Sequence, residues 1–301
     1  MTVPSASSVP ATGSTEPAEP ASRFVTVEGV RMHYRELDGP ASSLPVIFTH
    51  GGGPGSTGWN NFRHSAQAFS ARHRCYFVDL PQFGQSDMVP IDGPVFSWHA
   101  AKLLGFMDAL GIERAHLVNQ SFGGCVAIRL AADHPQRIGR MVLISAQPVD
   151  RGVLAPLPLF SKHGKSIIRD YFAGDGGPSL QKMRELIARL EFHDDAKVDD
   201  DNVRLRFEAS ANPAFQTLLA TPGAFGRGEN LAPLLSRVNT PTLIFWGLHD
   251  WFGAVDVPML MLNHLGDARL HVVGKGAHHL QTECPEEFNP TALSFLGGAE
   301  A

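Results

Sequence analysis

The stretch AHLVNQSFGG, residues 115–124, decides the fold of this 301-residue chain. An apolar run ending in Val118 leads to a polar corner that contains Ser121 and two glycines, and a helix is predicted directly afterwards over residues 125–132. A strand that turns this sharply into a helix holds the serine hydroxyl up at the end of a sheet, ready to attack a carbonyl group. Ser121 is therefore the candidate nucleophile, with a plain helix N-cap as the alternative.

Short, continuous apolar runs recur on both sides of this corner, at residues 45–49, 75–78, 117–118, 141–144 and 242–246. Runs of this kind are typical of strands buried on both faces of a parallel sheet. Between two of them, residues 96–110 have the apolar period of a helix. Alternating polarity over residues 24–28 and 32–36 predicts an antiparallel hairpin. The alternation of strands and helices predicts an α/β fold with a mostly parallel, doubly wound sheet.

This alternation stops after Gln147. We predict an α/β core formed by residues 23–153 and 239–301, with a helical cap inserted over residues 154–238. Within the cap, helical segments are predicted over residues 159–172, 180–192 and 202–220. An insertion at this point is well placed to act as a lid over the carboxyl ends of the strands, where ligands bind in open α/β sheets. Residues 1–22, rich in Pro, Ser, Thr and Ala, are predicted to be a disordered tail.

Composition and charge exclude several classes of partner. The net charge is -5, with 25 basic and 30 acidic residues and no run of Lys and Arg, which argues against nucleic acid and anionic membranes. No apolar run approaches the 18 residues of a membrane span, and no secretory signal precedes the core. Three widely spaced cysteines, Cys75, Cys125 and Cys284, predict a reducing, cytoplasmic setting and neither disulfides nor zinc. The acidic residues over 194–201 are predicted to form a solvated turn and a helix N-terminus rather than a metal site. A small-molecule substrate is expected.

Two residues further along the chain can activate a serine. A serine hydroxyl needs a base to take its proton, and that base needs an acid that fixes its tautomer. Asp250 and His278 each follow a predicted strand, and the order Ser, Asp, His is typical of hydrolases with this kind of sheet. Asp256 is the alternative acid, and His279 is the alternative base.

The glycine-rich loop HGGGPG, residues 50–55, follows a buried strand. Such a loop brings a backbone N–H close to the substrate oxygen, and together with the N–H of Phe122 it would form an oxyanion hole worth about 2.7–4 kcal/mol per donor. A phosphate-binding loop is excluded because Ser56 and Thr57 follow where that motif needs Lys and then Ser or Thr.

Together these motifs resemble the meta-cleavage product hydrolases of the α/β-hydrolase superfamily. The likeness covers residues 24–296 and rests on the glycine-rich loop, the serine corner and the segments 58–62, 79–87, 245–250 and 278–289. Members of that family hydrolyse a carbon–carbon bond in vinylogous 1,5-diketones that arise from aromatic ring fission. The resemblance therefore implies a ketone substrate that carries a carboxylate, no cofactor, and a homo-oligomer of two or more copies.

The resemblance also implies roles for particular residues. It implies a catalytic triad of Ser121, Asp250 and His278, and oxyanion donors at Gly52 and Phe122. The residues predicted to contact the substrate are Gly51, Asn61, Gln120, Arg206 and His279.

Within that set, Arg206 is placed on the substrate carboxylate by the similarity of residues 204–210 to the cap arginine segment of the family. A guanidinium group binds a carboxylate through two parallel hydrogen bonds, which suits this role. Arg204 is the alternative.

Three residues beside the catalytic atoms depart from the family pattern, namely Asn119 for a glycine, Gln120 for an asparagine and His279 for a tryptophan. Asn119 implies a shifted corner or a new polar contact. Two rival functions follow: a carboxylesterase or lactonase with the same triad, and a non-catalytic receptor built on the same fold.

Overall fold

The computed structural model of the chain describes residues 18–148, 165–174 and 176–298. The tail predicted over residues 1–22 lies mostly outside the described residues. At its predicted end, Ser22 already belongs to the first strand, where it pairs with Arg35. Just before that strand, the carboxylate of Glu19 forms an ion pair with the same arginine.

The strands of the described part of the chain are β1 Ser22–Val27, β2 Val30–Leu37, β3 Val46–Thr49, β4 Cys75–Val78, β5 Ile91–Pro94, β6 Ala115–Gln120, β7 Ile138–Ile144, β8 Phe225–Arg227, β9 Thr242–Gly247 and β10 Ala268–Val273. Eight of them form one sheet in the order β1-β2-β4-β3-β6-β7-β9-β10. Strand β2 pairs antiparallel with β1 and with β4, and the other strand pairs of this sheet are parallel. The predicted mostly parallel α/β sheet is therefore confirmed. The sequence analysis did not predict β5 and β8, which form a separate two-stranded sheet.

The helices of the described part are α1 Gly58–Ser70, α2 Val95–Ala109, α3 Phe122–Asp133, α4 Lys165–Ala173, α5 Leu180–Leu186, α6 Asp200–Ser210, α7 Pro213–Leu219, α8 Asp256–His264, α9 Leu280–Glu283 and α10 Pro285–Leu296. A single π-helical turn, Ile187–Glu191, extends α5. Within these residues, no helix is long and apolar enough to cross a membrane.

The central strands are buried along their whole length because both of their faces are covered. Successive side chains of β3 enter different cores: Ile47 packs in one buried cluster, and Val46 and Phe48 pack in the other. Strand β6 divides in the same way, with Leu117 on one side and Val118 on the other. This double burial fixes the central strands rigidly, and the site residues stand at the ends of those strands.

The described residues between β7 and β9 are mainly helical, as predicted. Helices α5, α6 and α7 occupy the predicted segments 180–192 and 202–220, whereas residues 159–164 of the first segment lie outside the described residues. The helical segment is interrupted at Asn212. The side chain of this residue caps α7, which has a proline in its first turn. The acidic residues behave as expected of a turn and a helix start, because Asp194 and Asp199 each accept a backbone N–H at the beginning of a helix.

Candidate active site

Ser121 stands at the corner between β6 and α3, with φ 49° and ψ −111°. A positive φ is unfavourable for a residue with a Cβ atom and is characteristic of strained functional positions. Ser121 stands at the N-cap position of α3, but its side chain makes no capping hydrogen bond, so its hydroxyl is not used to cap the helix. The glycines that follow are required by close packing: a Cβ on Gly123 would lie 2.8 Å from the carbonyl oxygen of His50, and a Cβ on Gly124 would lie 2.5 Å from the Cβ of Ala146.

His278 and Asp250 meet at the carboxyl ends of the last two strands. The Nδ1 atom of His278 lies 2.9 Å from Oδ2 of Asp250, and both side chains are buried. The other carboxylate oxygen of Asp250 accepts the backbone N–H of Phe252 at 2.8 Å. This carboxylate therefore holds the ring from the Nδ1 side and leaves Nε2 for proton transfer. The alternative acid, Asp256, instead begins α8.

A cavity of about 260 Å³ brings the predicted residues together. Ser121 and His278 both line it, as do Gly52, Phe122, Gln120 and His279. The rest of its described lining consists of Gly53, Pro54, Phe96, Cys125, Gln147, Ile168, Leu186, Glu191 and Phe252. Three residues predicted to contact the substrate are not part of this described lining, namely Gly51, Asn61 and Arg206.

Gly52 and Phe122 lie side by side at one wall of the cavity. A Cβ on Gly52 would be 3.4 Å from that of Phe122, so the two backbone segments are neighbours. Phe122 is the first residue of α3, and the first N–H groups of a helix have no acceptor within the helix. The arrangement can present backbone N–H donors to an oxygen bound at Ser121.

Asn61 lies behind the glycine-rich loop and not in the cavity. Its Oδ1 atom accepts the N–H of Gly51 at 3.4 Å, and its Nδ2 donates to Oδ1 of Asn60 at 2.8 Å. Neighbouring polar groups bind this side chain in the structure, and its contact with a substrate stays a prediction. Gly51 needs to be glycine for a related reason: a Cβ there would collide with Oε1 of Gln120.

Asn119 and Gln120, two of the residues that depart from the family pattern, each form a side-chain hydrogen bond within this site. Asn119 Nδ2 donates to Oγ1 of Thr49 at 2.5 Å, across the pair β3–β6, which is the new polar contact that the sequence suggested. Gln120 Nε2 donates to the carbonyl oxygen of His278 at 3.2 Å. Gln120 thereby ties the serine corner to the histidine loop.

Arg206 is not part of the described lining of this cavity. Its guanidinium is fully buried and forms an ion pair with Glu191. The Nε and Nη2 atoms also donate to the carbonyl oxygen of Pro54 at 3.0 and 2.9 Å. Groups of the chain itself thus bind the guanidinium in this structure, and its contact with a substrate carboxylate stays a prediction. The alternative, Arg204, is half-exposed and pairs with Glu208 at 3.2 Å.

Glu191 is a functional candidate that the sequence analysis missed. It ends the π-helical turn, lines the cavity, and is 2% exposed. Its carbonyl oxygen accepts the backbone N–H groups of His278 and His279 at 3.0 and 3.1 Å. A detectable signal was present: Glu191 stands four residues after Ile187 and eight after Met183, on the buried face of an apolar helical pattern.

The protonation of Glu191 and His279 follows from their burial and from the ion pair between Glu191 and Arg206. Burial acts to raise the pKa of Glu191, but the charge of Arg206, the nearby His279 and the hydrogen bond from Arg206 outweigh it and hold the pKa below its ordinary value. His279 Nε2 lies 3.4 Å from Oε2 of Glu191. Burial lowers the pKa of His279 to about 3, so this ring is neutral near neutral pH.

Glu283 is a second residue that the sequence analysis missed, and it supports the histidine loop. One carboxylate oxygen accepts the N–H of Ala277 at 2.8 Å, directly before His278. The other oxygen accepts the N–H groups of His193 and Asp194 at 2.6 and 2.9 Å. Glu283 thus connects the loop that carries His278 with the segment that follows Glu191.

We expect Arg206→Ala to destabilise the fold by about 3–5 kcal/mol, because it leaves the carboxylate of Glu191 buried without its partner. The matched control is Arg204→Ala, which removes an arginine that is paired only at the surface and should cost less than about 1 kcal/mol. Urea unfolding of both variants measures the difference in unfolding free energy. Equal losses in the two variants would contradict a structural role for the buried pair.

Comparisons with known proteins agree with this geometry. A family model described as alpha/beta hydrolase fold matches residues 45–285. A 2-hydroxy-6-oxo-6-phenylhexa-2,4-dienoate hydrolase from Comamonas testosteroni is 34% identical over 270 residues, which is 88% of this chain and 91% of that protein. A 2-hydroxy-6-oxononadienedioate/2-hydroxy-6-oxononatrienedioate hydrolase from Paraburkholderia phymatum is 31% identical over 92% of this chain and 96% of its own. Among solved structures, a meta-cleavage product hydrolase from Pseudomonas fluorescens IP01 superimposes with a TM-score of 0.74 at 29% identity, covering 91% of this chain and 96% of that one.

Proposed function

This chain belongs to the α/β-hydrolase fold family, and from that premise we propose that it is a serine hydrolase that cleaves a carbon–carbon bond in a ring-fission product of the 2-hydroxy-6-oxo-dienoate type. The observation that carries the proposal is the cavity lined by both Ser121 and the Asp250-bound His278. The carbon–carbon bond as the bond that is cleaved is inferred from the names of the relatives. No cofactor takes part in this proposal.

In the proposed reaction, His278 first helps the dienol of the substrate to become its ketone form. His278 Nε2 then takes the proton of Ser121 as its oxygen bonds to the carbonyl carbon, while the N–H groups of Gly52 and Phe122 bind the resulting oxyanion. The carbonyl re-forms as the carbon–carbon bond breaks, and His278 returns the proton to the departing carbon. Water then attacks the acyl-serine in the same manner, which releases the acid product and restores Ser121.

The helices between β7 and β9 are proposed to act as a lid over this site. Ile168 of α4 and Leu186 of α5 both line the cavity that contains Ser121. A second cavity of about 210 Å³ shares Ile168 with the first and is lined by apolar side chains, among them Phe172 and Phe215. We assign the distal, apolar part of the substrate to this second cavity. Closing helices would exclude water from the acyl-enzyme until the first product has left.

An ester or a lactone is the second candidate substrate, and the ion pair between Arg206 and Glu191 specifically favours it. The nucleophile, base and oxyanion donors serve any acyl transfer, and Arg206 is bound to Glu191 and to the carbonyl oxygen of Pro54 in this structure. Parallel measurement of kcat/KM for a chromogenic ring-fission dienoate, its methyl ester and p-nitrophenyl butyrate separates the two functions. We expect turnover of at least one ring-fission compound, with both cleavage products detected by mass spectrometry. Turnover of the p-nitrophenyl ester alone would replace the proposal by the esterase.

A further inference from the structure

His50, the first residue of the glycine-rich loop, makes two hydrogen bonds through its ring. The backbone N–H of Leu80 donates to Nε2 at 3.1 Å, and Nδ1 lies 2.7 Å from the carbonyl oxygen of Gly51. A ring nitrogen that accepts a hydrogen bond carries no proton, so the neutral ring is protonated at Nδ1 and donates to Gly51. A backbone N–H group of the fold thus determines the tautomer of His50.

The ring of His50 is neutral in this environment. It is fully buried, and the ring of Phe83 packs against it edge to face, with 4.7 Å between the ring centroids. Burial lowers the pKa of His50, and the charge of Asp79 together with the hydrogen bond to Gly51 reverses only part of this effect. A protonated ring would carry a second N–H at Nε2, where it would face the N–H of Leu80. The site therefore accommodates the neutral ring with its proton on Nδ1.

The hydrogen bond from His50 holds the peptide group that joins Gly51 and Gly52. No peptide bond in the described part of the chain is cis, and the C=O and N–H bonds of a trans peptide point in opposite directions. Because the carbonyl oxygen of Gly51 binds Nδ1 of His50, the N–H of Gly52 is directed away from the His50 ring. Gly52 lines the cavity that contains Ser121 and borders Phe122, which is proposed to supply the other oxyanion donor.

Two further contacts tie this loop to its surroundings. The N–H of Gly51 donates to Oδ1 of Asn61 at 3.4 Å, so the peptide groups on both sides of this glycine have partners. The carbonyl oxygen of His50 accepts the N–H of Gly123 at 3.1 Å, in the first turn of α3. Gly123 follows Phe122 directly. His50 is therefore joined to both segments that carry the oxyanion donors.

We propose that His50 is a positioning residue for the oxyanion hole, which holds the N–H of Gly52 towards the oxygen atom that becomes negatively charged when Ser121 attacks the carbonyl carbon. The hydrogen bond from His50 exists before a substrate arrives, and a donor that is already oriented stabilises the transition state without a peptide rotation during the reaction. The inference rests on the proposed function for the oxyanion step, and it holds for a carbon–carbon bond and for an ester bond alike.

Two variants separate the two hydrogen bonds of the ring. The amide nitrogen of asparagine takes the place of Nδ1, so His50→Asn keeps the donor to Gly51 and loses the acceptor for Leu80. The longer glutamine places its amide near Nε2, so His50→Gln keeps that acceptor and loses the donor. We expect kcat to fall by about 10²- to 10³-fold in His50→Gln, the loss that follows removal of one oxyanion donor, and by less than about tenfold in His50→Asn. KM should change by less than about threefold in both variants.

The same pair of variants distinguishes positioning from a structural role. Each variant loses one of the two hydrogen bonds of the ring, so a structural role would give them similar losses of kcat and similar losses of stability in urea. His116→Gln is the control for replacing a buried histidine, because burial lowers the pKa of His116 to about 4 and this residue lies at the opposite end of β6 from Ser121. It should leave kcat within about threefold of wild type.

Equal losses of kcat in His50→Gln and His50→Asn, or a larger loss in His50→Asn, would overturn the proposal. All variants are compared on whichever substrate the wild type cleaves best, so the comparison remains valid if that substrate is an ester. Failure of the proposed function is distinguished from failure of this inference, because it is detected in Ser121→Ala and in the cleavage products of the wild type.

The wild-type protein tests the tautomer of His50 without any substitution, which also covers the case in which a variant does not fold. The ring nitrogens of a neutral histidine have different nitrogen-15 chemical shifts according to which of them carries the proton. We expect the resonances of His50, assigned through correlation with its own backbone, to show a proton on Nδ1 and none on Nε2 at neutral pH. A proton on Nε2, in the other tautomer or in a charged ring, would overturn the proposal.

Discussion

Ser121→Ala is expected to reduce kcat by about 10⁴- to 10⁶-fold, because the remaining groups can bind and polarise a substrate but cannot form the acyl-enzyme. The folded structure should remain intact. Alanine has the same backbone preference as serine at φ 49°, and the Ser121 side chain makes no capping hydrogen bond. Single-turnover measurement with the substrate that the wild type cleaves best gives the loss, and binding of that substrate to the variant should stay within about threefold of the wild-type KM.

Ser145→Ala is a suitable control for that loss. Ser145 follows β7, the strand next to β6, and has the same kind of backbone, with φ 50°. Its hydroxyl is also buried. It is not part of the described lining of the cavity, so its removal should change kcat by less than about threefold. Similar losses at Ser121 and Ser145 would mean that the hydroxyl supports the fold at both positions, and the nucleophile would have to be sought elsewhere.

The serine corner shows why local sequence was informative about this fold. The apolar runs are continuous because the strands are buried on both faces. Each run ends at a polar residue, where the strand reaches the edge of the core. The two glycines after Ser121 are required by close contacts that are fixed by the neighbouring strand. The apolar runs and the polar residues at their ends are local features of the sequence, so the strands that Ser121, Asp250 and His278 follow could be predicted from it.

Arg206 shows where that reasoning stops. The likeness of its helix segment to a family pattern singled out this residue, but the direction of the guanidinium depends on a partner 15 residues earlier. Glu191 reaches Arg206 only because α5 and α6 pack together with the π-helical turn between them. Such a pairing between helices is a property of tertiary packing, and no spacing rule within one helix predicts it. The hydrogen bond of Asn61 with Gly51, which lies in the preceding loop, could not be predicted for the same reason.

Asp250→Asn is expected to reduce kcat by about 10⁴-fold while leaving the shape of the site unchanged. The Asn oxygen can still accept the N–H of Phe252, which orients the amide nitrogen towards Nδ1 of His278. Because an amide N–H donates, Nδ1 must then accept, and the ring proton moves to Nε2. That tautomer cannot take the proton of Ser121. The imidazolium form would also lose the carboxylate that stabilises it.

Asp256→Asn is the matched control for this last prediction, since Asp256 lies only six residues further along, in the first turn of α8. It should lose less than about threefold in kcat, whereas a helix-start effect on stability of about 0.3–1 kcal/mol is expected. The pH dependence of kcat distinguishes a missing acid from a damaged fold. Without the carboxylate, the rate should recover partly at high pH, where hydroxide can take the place of the histidine base, and thermal unfolding should change little. Equal losses in the two variants, or a larger loss at Asp256, would move the acid of the triad to Asp256.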